Sequence, residues 1–163
     1  MSQYIVEVVE NDFVERRWTE VETLVESVFK DSSFNEKFTV ERPLWHIQEG
    51  IKGNLGKGIK HVLGLSSEGD ILAGAFCIPT YKEDGQTECD IGWFYASGDL
   101  SKIQKIRVLD AIFNTVHQAI KSAGFTRIVT NMGTREGAKY LERRQRYTHQ
   151  PIGEKTNNWV KIL

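Results

Sequence analysis

Residues 87–132 read TECDIGWFYASGDLSKIQKIRVLDAIFNTVHQAIKSAGFTRIVTNM. Thr87 to Ser97 alternates, with Cys89, Ile91, Trp93 and Tyr95 on one side of a predicted strand and Glu88, Asp90, Gly92 and Phe94 on the other. Gly92 inside that strand marks a bulge or the close approach of another backbone. Ser101, with Gln104 three residues later, is a helix N-cap. From there Ile103, Ile106, Leu109, Phe113, Val116 and Ile120 recur at helical spacing over about five turns. Gly124 is the natural stop, and Thr126 to Met132 reads as another strand. A strand–helix–strand unit crosses over right-handed and sets its two strands parallel.

Upstream, the pattern is a meander. His61 to Ser66 is a strand, Ser67-Glu68-Gly69-Asp70 a turn, and Ile71 to Thr80 an almost uninterrupted apolar strand expected to be buried on both faces. Asp84-Gly85 marks the next hairpin. Nearer the start, YIVEVV at 4–9 is a short strand. Val14, Trp18, Val21, Val25 and Val28 then share one helix face, with Asp12 and Glu15 spaced as a capping box and the helix ending at Phe29 to Asp31. A second helix is expected from Pro43, at a first helical position, through Leu44, Ile47 and Ile51. The glycine-rich Gly50 to Gly58 that follows contains Lys52 and Lys57. It is not a phosphate loop, because Gly58 rather than Ser or Thr follows Lys57 and a helix rather than a strand precedes it; a mobile loop is expected.

Downstream, Thr134 caps a helix through Gln145, and Arg146 to Ile152 and Thr156 to Leu163 form two closing strands around Gly153. The order β, α, α, β, β, β, α, β, α, β, β fills residues 1–163 as one domain without repeats or linkers. It predicts a mixed α/β (α+β) fold: a mostly antiparallel sheet of about seven strands with four helices.

Composition narrows the function classes. Hydrophobic residues make up 40% and charged residues 26% of 163, which is ordinary for a folded soluble domain. The longest apolar run, Ile71 to Ile78, is far short of the ~18 residues of a membrane span, so no membrane partner is expected. The 21 basic and 22 acidic residues nearly cancel, yet the first thirty residues are acidic and residues 121–163 are basic. That balance argues against a nucleic-acid partner for the whole domain. It leaves two readings of the basic excess, a solvated helix face or a local anion site. Cys77 and Cys89 lie in apolar or alternating runs and read as buried free thiols. With no leader pattern at the N-terminus, a cytoplasmic protein is expected. His46, His61, His117 and His149 show no ligand spacing, so no metal is expected.

With these elements in place, the chain resembles the GNAT superfamily of acyl-CoA-dependent N-acyltransferases. Asp90 to Ala96 is similar to that family's fourth strand and Ser101 to Ile120 to its main helix. Asn131 to Ala138, with Leu141 and Tyr147, is similar to the end of its fifth strand, its fourth helix and the aromatic opening its sixth strand. The resemblance implies acetyl-CoA as cosubstrate and an amine of a small molecule or protein as acceptor, joined by direct attack in a ternary complex. It implies that main-chain groups of Phe94, Tyr95 and Ala96 hold the pantetheine arm and those of Gln104, Lys105, Ile106 and Arg107 the pyrophosphate, with Asn131 also at the cofactor. Asp90 and Glu88, which alternation places on one face, are the candidate general bases. Ordinary strand carboxylates are the other reading of both.

Two positions depart from the family pattern. No glycine stands between Gly98 and Gly124, where the family's phosphate loop has them to let backbone approach phosphate closely. Lys102, Lys105 and Arg107 either compensate by charge or form the solvated helix face. Leu141 is followed by Glu142 where many members carry a Tyr acid; Tyr140 falls on another helix face and reads as a packing residue. A catalytically inactive GNAT-like binding or structural module is therefore the alternative to an N-acetyltransferase, and a homodimer is left open.

Overall fold

A computed structural model describes residues 3–31, 33–37, 39–55, 60–81, 87–151 and 158–163. The strands are β1 (Tyr4–Val9), β2 (Lys60–Ser66), β3 (Ile71–Tyr81), β4 (Thr87–Ala96), β5 (Arg127–Asn131), β6 (Thr148–His149) and β7 (Asn158–Ile162). The helices are α1 (Asn11–Arg16), α2 (Trp18–Lys30), α3 (Glu41–Ile51), α4 (Lys102–Ser122) and α5 (Arg135–Arg143), with a 3-10 turn at Ser33–Glu36. One seven-stranded sheet runs β1-β2-β3-β4-β5-β7-β6. Its pairs are antiparallel except β4 and β5, which are parallel, as their crossover through α4 requires.

Helices cover both faces of the sheet. On one, Val108, Ile112, Phe113 and Val116 of α4 bury Ala73, Ala75 and Cys77 of β3 and Cys89 and Ile91 of β4. On the other, Val14, Val21, Val25 and Ile47 of α1–α3 pack on Leu63, Phe76 and Tyr95. Apolar burial on both faces is what makes β3 read as a continuous apolar run from Ile71 to Cys77.

The expected single N-terminal helix is two, because Arg17 leaves helical geometry at φ −111°, ψ 26°. The Asp12 and Glu15 capping box does not form: Glu10 is the N-cap without a side-chain bond. Asn11 instead accepts a hydrogen bond from the ring of buried His61 at 3.0 Å. Pro43 sits in the first turn of α3, at its third position, where the N–H it lacks has no helical partner anyway. Gly50 belongs to α3 and is buried, so the glycine-rich loop starts later than expected; its part at 56–59 lies outside the described residues.

At α4 the Ser101 and Gln104 box is complete. Gln104 N donates to Ser101 Oγ at 3.2 Å and Ser101 N to Gln104 Oε1 at 2.9 Å. Gly124 ends the helix at φ +91°, a conformation that only a residue without Cβ takes cheaply. Ile103, expected on the apolar stripe, is 64% exposed, since the buried face starts at Val108. Arg146, expected in a strand, takes φ +62°, and the strand that follows it is only Thr148–His149; residues 152–157, with Gly153, lie outside the described residues.

Candidate active site

The alternation expected along β4 holds only as far as Ile91. Cys77 pairs with Ile91 and Phe76 with Trp93, so Gly92 is an extra residue without a partner position. This is a β-bulge, and it reverses the faces beyond it. Cys89 and Ile91 belong to the α4 side together with Phe94 and Ala96, whereas Trp93 and Tyr95 turn to the α1–α3 side. The other expectation, close approach of another backbone, is not met: side chains crowd Gly92. A Cβ there would stand 3.2 Å from Ile78 Cδ1, 3.3 Å from Phe76 Cδ1 and 3.7 Å from His46 Cε1.

The parallel ladder between β4 and β5 is short, running from Glu88 opposite Arg127 to Ile91 opposite Thr130. At its last rung the fully buried Thr130 donates its hydroxyl to the Ile91 carbonyl at 3.1 Å. Past that point β4 continues to Ala96 against β3 alone. The β4–β5 pairing ends there, and a cleft of about 1420 Å³ opens between β4, α4 and α5 on one side and α2 and α3 on the other. A single small-molecule site occupies roughly 300–1,000 Å³, so the volume admits two reactants.

Phe94, Tyr95, Ala96 and Asn131 all line this cleft. Lys102, Lys105 and Ile106 line it from the first turns of α4. The main-chain donors expected for a pyrophosphate are placed otherwise. Gln104 N is bonded to Ser101 Oγ and Lys105 N to the Ser101 carbonyl, because the capping box starts the helix at Lys102. Its unbonded N–H groups are therefore those of Lys102 and Ile103. Arg107 is exposed and absent from the cleft lining; its carbonyl accepts from Tyr4 at the far edge of the sheet.

The two candidate bases separate. Asp90 lines the cleft floor, with its Oδ1 shielded from solvent. Glu88 lies off the cleft and its Oε2 is 3.6 Å from Arg127 Nε, an ion pair between neighbouring strands. His46 of α3, which sequence reading did not single out, also lines the cleft beside Gly92. Burial, with the nearby Arg42 charge, lowers its pKa, so its ring is neutral near pH 7. The available signal was helical: His46 lies between Pro43 and Gly50 at spacings of three and four, and both of those are buried.

The phenols are engaged elsewhere. Tyr140 lines the cleft but donates to Asp110 Oδ1 at 2.9 Å and accepts from Gln145 at 2.9 Å. Burial, with the Asp110 hydrogen bond, raises its pKa far above the usual phenol range. It packs edge to face on Phe113, the packing role expected of it. Tyr147 is buried and hydrogen-bonded to His117 at 2.8 Å, and Glu142 accepts from Trp159 at 3.0 Å. Among the described residues no His, Cys, Asp and Glu group is arranged to hold a metal ion. No helix among them is long and apolar enough to cross a membrane.

Charge divides the cleft. Lys102 and Lys105 of α4, Arg135, Lys139 and Arg143 of α5 and Arg144 at its C-cap line one side, with Glu136 as the carboxylate among them. The basic excess of the last quarter of the chain is thus partly a wall of the cleft. No protein-family model matches the chain, and no curated protein sequence matches it. Solved structures do. Arylalkylamine N-acetyltransferase 2 from Aedes aegypti is 10% identical, with TM-score 0.73 over 98% of this chain and 99% of that one. The PaiA N-acetyltransferase of Thermoplasma acidophilum, solved in complex with coenzyme A, is 6% identical, with TM-score 0.68 over 99% of each chain. A GNAT-family acetyltransferase from Listeria monocytogenes is 10% identical, with TM-score 0.65 over 98% of this chain and 95% of that one. The chain has the GNAT fold.

Proposed function

We propose that this protein transfers an acetyl group from acetyl-CoA to the primary amine of a small molecule, by direct attack in a ternary complex. The observation that carries the reading is the unpaired edge of β4 beyond Ile91, opening onto a cleft with a basic flank. Main-chain groups of the Phe94 to Ala96 stretch that point away from β3 suit the amide groups of a pantetheine arm. The Lys102 and Ile103 N–H groups, with the Lys105 and Arg143 side chains, suit phosphates. Asp90 takes the proton of the amine as its nitrogen attacks the thioester carbonyl. The C–N bond forms, the C–S bond breaks and CoA leaves as thiolate. A main-chain N–H on the free β4 edge stabilises the oxyanion.

One observation favours the other reading, a GNAT-fold module without catalysis: the Gln104 and Lys105 N–H groups are used inside the helix, and Tyr140 is tied to Asp110. Incubation with acetyl-CoA and a panel of primary amines separates the two. Amine-dependent release of CoA thiol, abolished in Asp90→Asn with CoA affinity retained, supports the enzyme. No release above the protein-free background with any amine supports the module.

A further inference from the structure

The end of the cleft opposite the basic flank has a different chemistry. Phe29, Phe34, Trp45 and His46 line it from α2, the 3-10 turn and α3, and Trp93 lines it from β4. Phe34 and Trp93 meet edge to face, with centroids 6.0 Å apart and planes at 77°. His46 stands edge-on to Phe76, at 5.8 Å and 86°. Trp45 does not serve the core: α3 buries Pro43, Ile47 and Gly50, while the indole is 58% exposed and faces the cleft. A lone exposed apolar residue needs no explanation, but this one shares its end of the cleft with Phe29, Phe34, His46 and Trp93 and with the carboxylates Asp31 and Asp90.

Such a wall selects a ligand by charge and shape. Aromatic faces and edges take up a flat ring, the faces attract a nearby cation, and the carboxylates attract an ammonium group. Lys37 and Arg42 at the same end disfavour a second positive charge, which counts against polyamines.

We infer that the acceptor is a monoamine carried on an aromatic ring by a short aliphatic spacer, with the ring between Trp45, Phe34 and Trp93 and the amine at Asp90. This assignment rests on the acetyltransferase reading for its chemistry, but the binding it requires is independent of catalysis. The test is calorimetric titration of the whole protein with 2-phenylethylamine, 2-cyclohexylethylamine and spermidine, each with and without saturating CoA. The aromatic amine is expected to bind about ten-fold more tightly than either competitor, the advantage a few aromatic contacts supply. Trp45→Ala, at a half-exposed position, is expected to erase most of that advantage while leaving the CoA-induced rise in melting temperature intact. Equal or tighter binding of 2-cyclohexylethylamine or spermidine, no binding of 2-phenylethylamine, or an unaltered preference in Trp45→Ala overturns the assignment. Selective aromatic-amine binding by a protein that CoA does not stabilise sinks the acetyltransferase reading and leaves the aromatic site standing.

Discussion

Removing the carboxylate of Asp110 probes the clamp that holds α5, and with it the basic flank of the cleft, against α4. Asp110 Oδ1 accepts from Tyr140 at 2.9 Å, from Gln145 at 3.0 Å and from Arg144 Nε at 3.3 Å, and Oδ2 accepts from the second Arg144 nitrogen. In Asp110→Ala, Tyr140 and the buried Gln145 keep only each other. Hydrogen bonds to an ionised acceptor contribute about 1.5–3 kcal/mol together with the cost of stranded donors. Arg144 is half exposed, so solvent screens its ion pair, which adds little. A net loss of about 2–3 kcal/mol lowers the melting temperature of a chain this size by roughly 5–10 °C. The pH dependence has a definite sign. Burial opposes ionisation of Asp110, but the Arg144 and Tyr140 hydrogen bonds, the Arg144 charge and Gln145 together bring its pKa below the ordinary value. A lowered folded-state pKa gives stability that is full above the unfolded value of about 3.9 and lost as pH falls through the folded one. Melting of both proteins from about pH 7 to about pH 3 should therefore show the gap at neutrality and its narrowing in acid. A gap that stays constant across that range, or no gap at pH 7, would refute the clamp.

Three further outcomes follow from the same geometry. Gly92→Ala forces a Cβ to within 3.2–3.3 Å of Ile78 and Phe76 and should cost about 1–3 kcal/mol, the range for overpacking, read as a lower denaturation midpoint; unchanged stability would mean that the bulge is not tight. Thr134→Ala removes the cap that accepts from Gly137 N at 3.0 Å, and should cost about 1 kcal/mol in thermal melting, whereas no loss would mean that the cap contributes nothing. Lys105→Ala combined with Arg143→Ala should weaken CoA roughly ten-fold if each makes a charge-assisted bond to phosphate. The deficit in equilibrium binding should shrink in high salt, and a salt-independent deficit would contradict a phosphate contact.

The backbone of this fold is legible where the signals are local. Ser101 and Gln104, Thr134 and Gly124 are capping residues whose chemistry acts within one turn, and each marks a helix end in the structure. The apolar run of β3 and the strand–helix–strand spacing are equally direct. The faces of β4 are not, because alternation counts residues two by two and an inserted residue at Gly92 shifts every later side chain to the opposite face. For the same reason Trp93 and Tyr95 were expected beside Cys89 and Ile91 and lie across the sheet from them. Glu88 and Asp90 are alike in sequence and part company only through Arg127, which β5 brings beside Glu88. The aromatic end of the cleft was invisible in sequence because Phe29, Phe34, Trp45 and Trp93 come from separate elements that only the tertiary fold gathers. The resemblance supplied Gln104 and Lys105 as main-chain donors, whereas the capping box, itself readable, engages both of those N–H groups at the start of α4.

The central claim is that the cleft beside the free edge of β4 receives a CoA thioester. Thermal melting of the intact protein with and without acetyl-CoA and CoA tests it most directly, since a ligand of the native state at about 100 times its dissociation constant adds ~2.7 kcal/mol. For a chain of this length that is a rise of roughly 5–10 °C, predicted for both compounds and diminished in Lys105→Ala combined with Arg143→Ala. An unchanged melting temperature at millimolar acetyl-CoA and CoA would contradict the account.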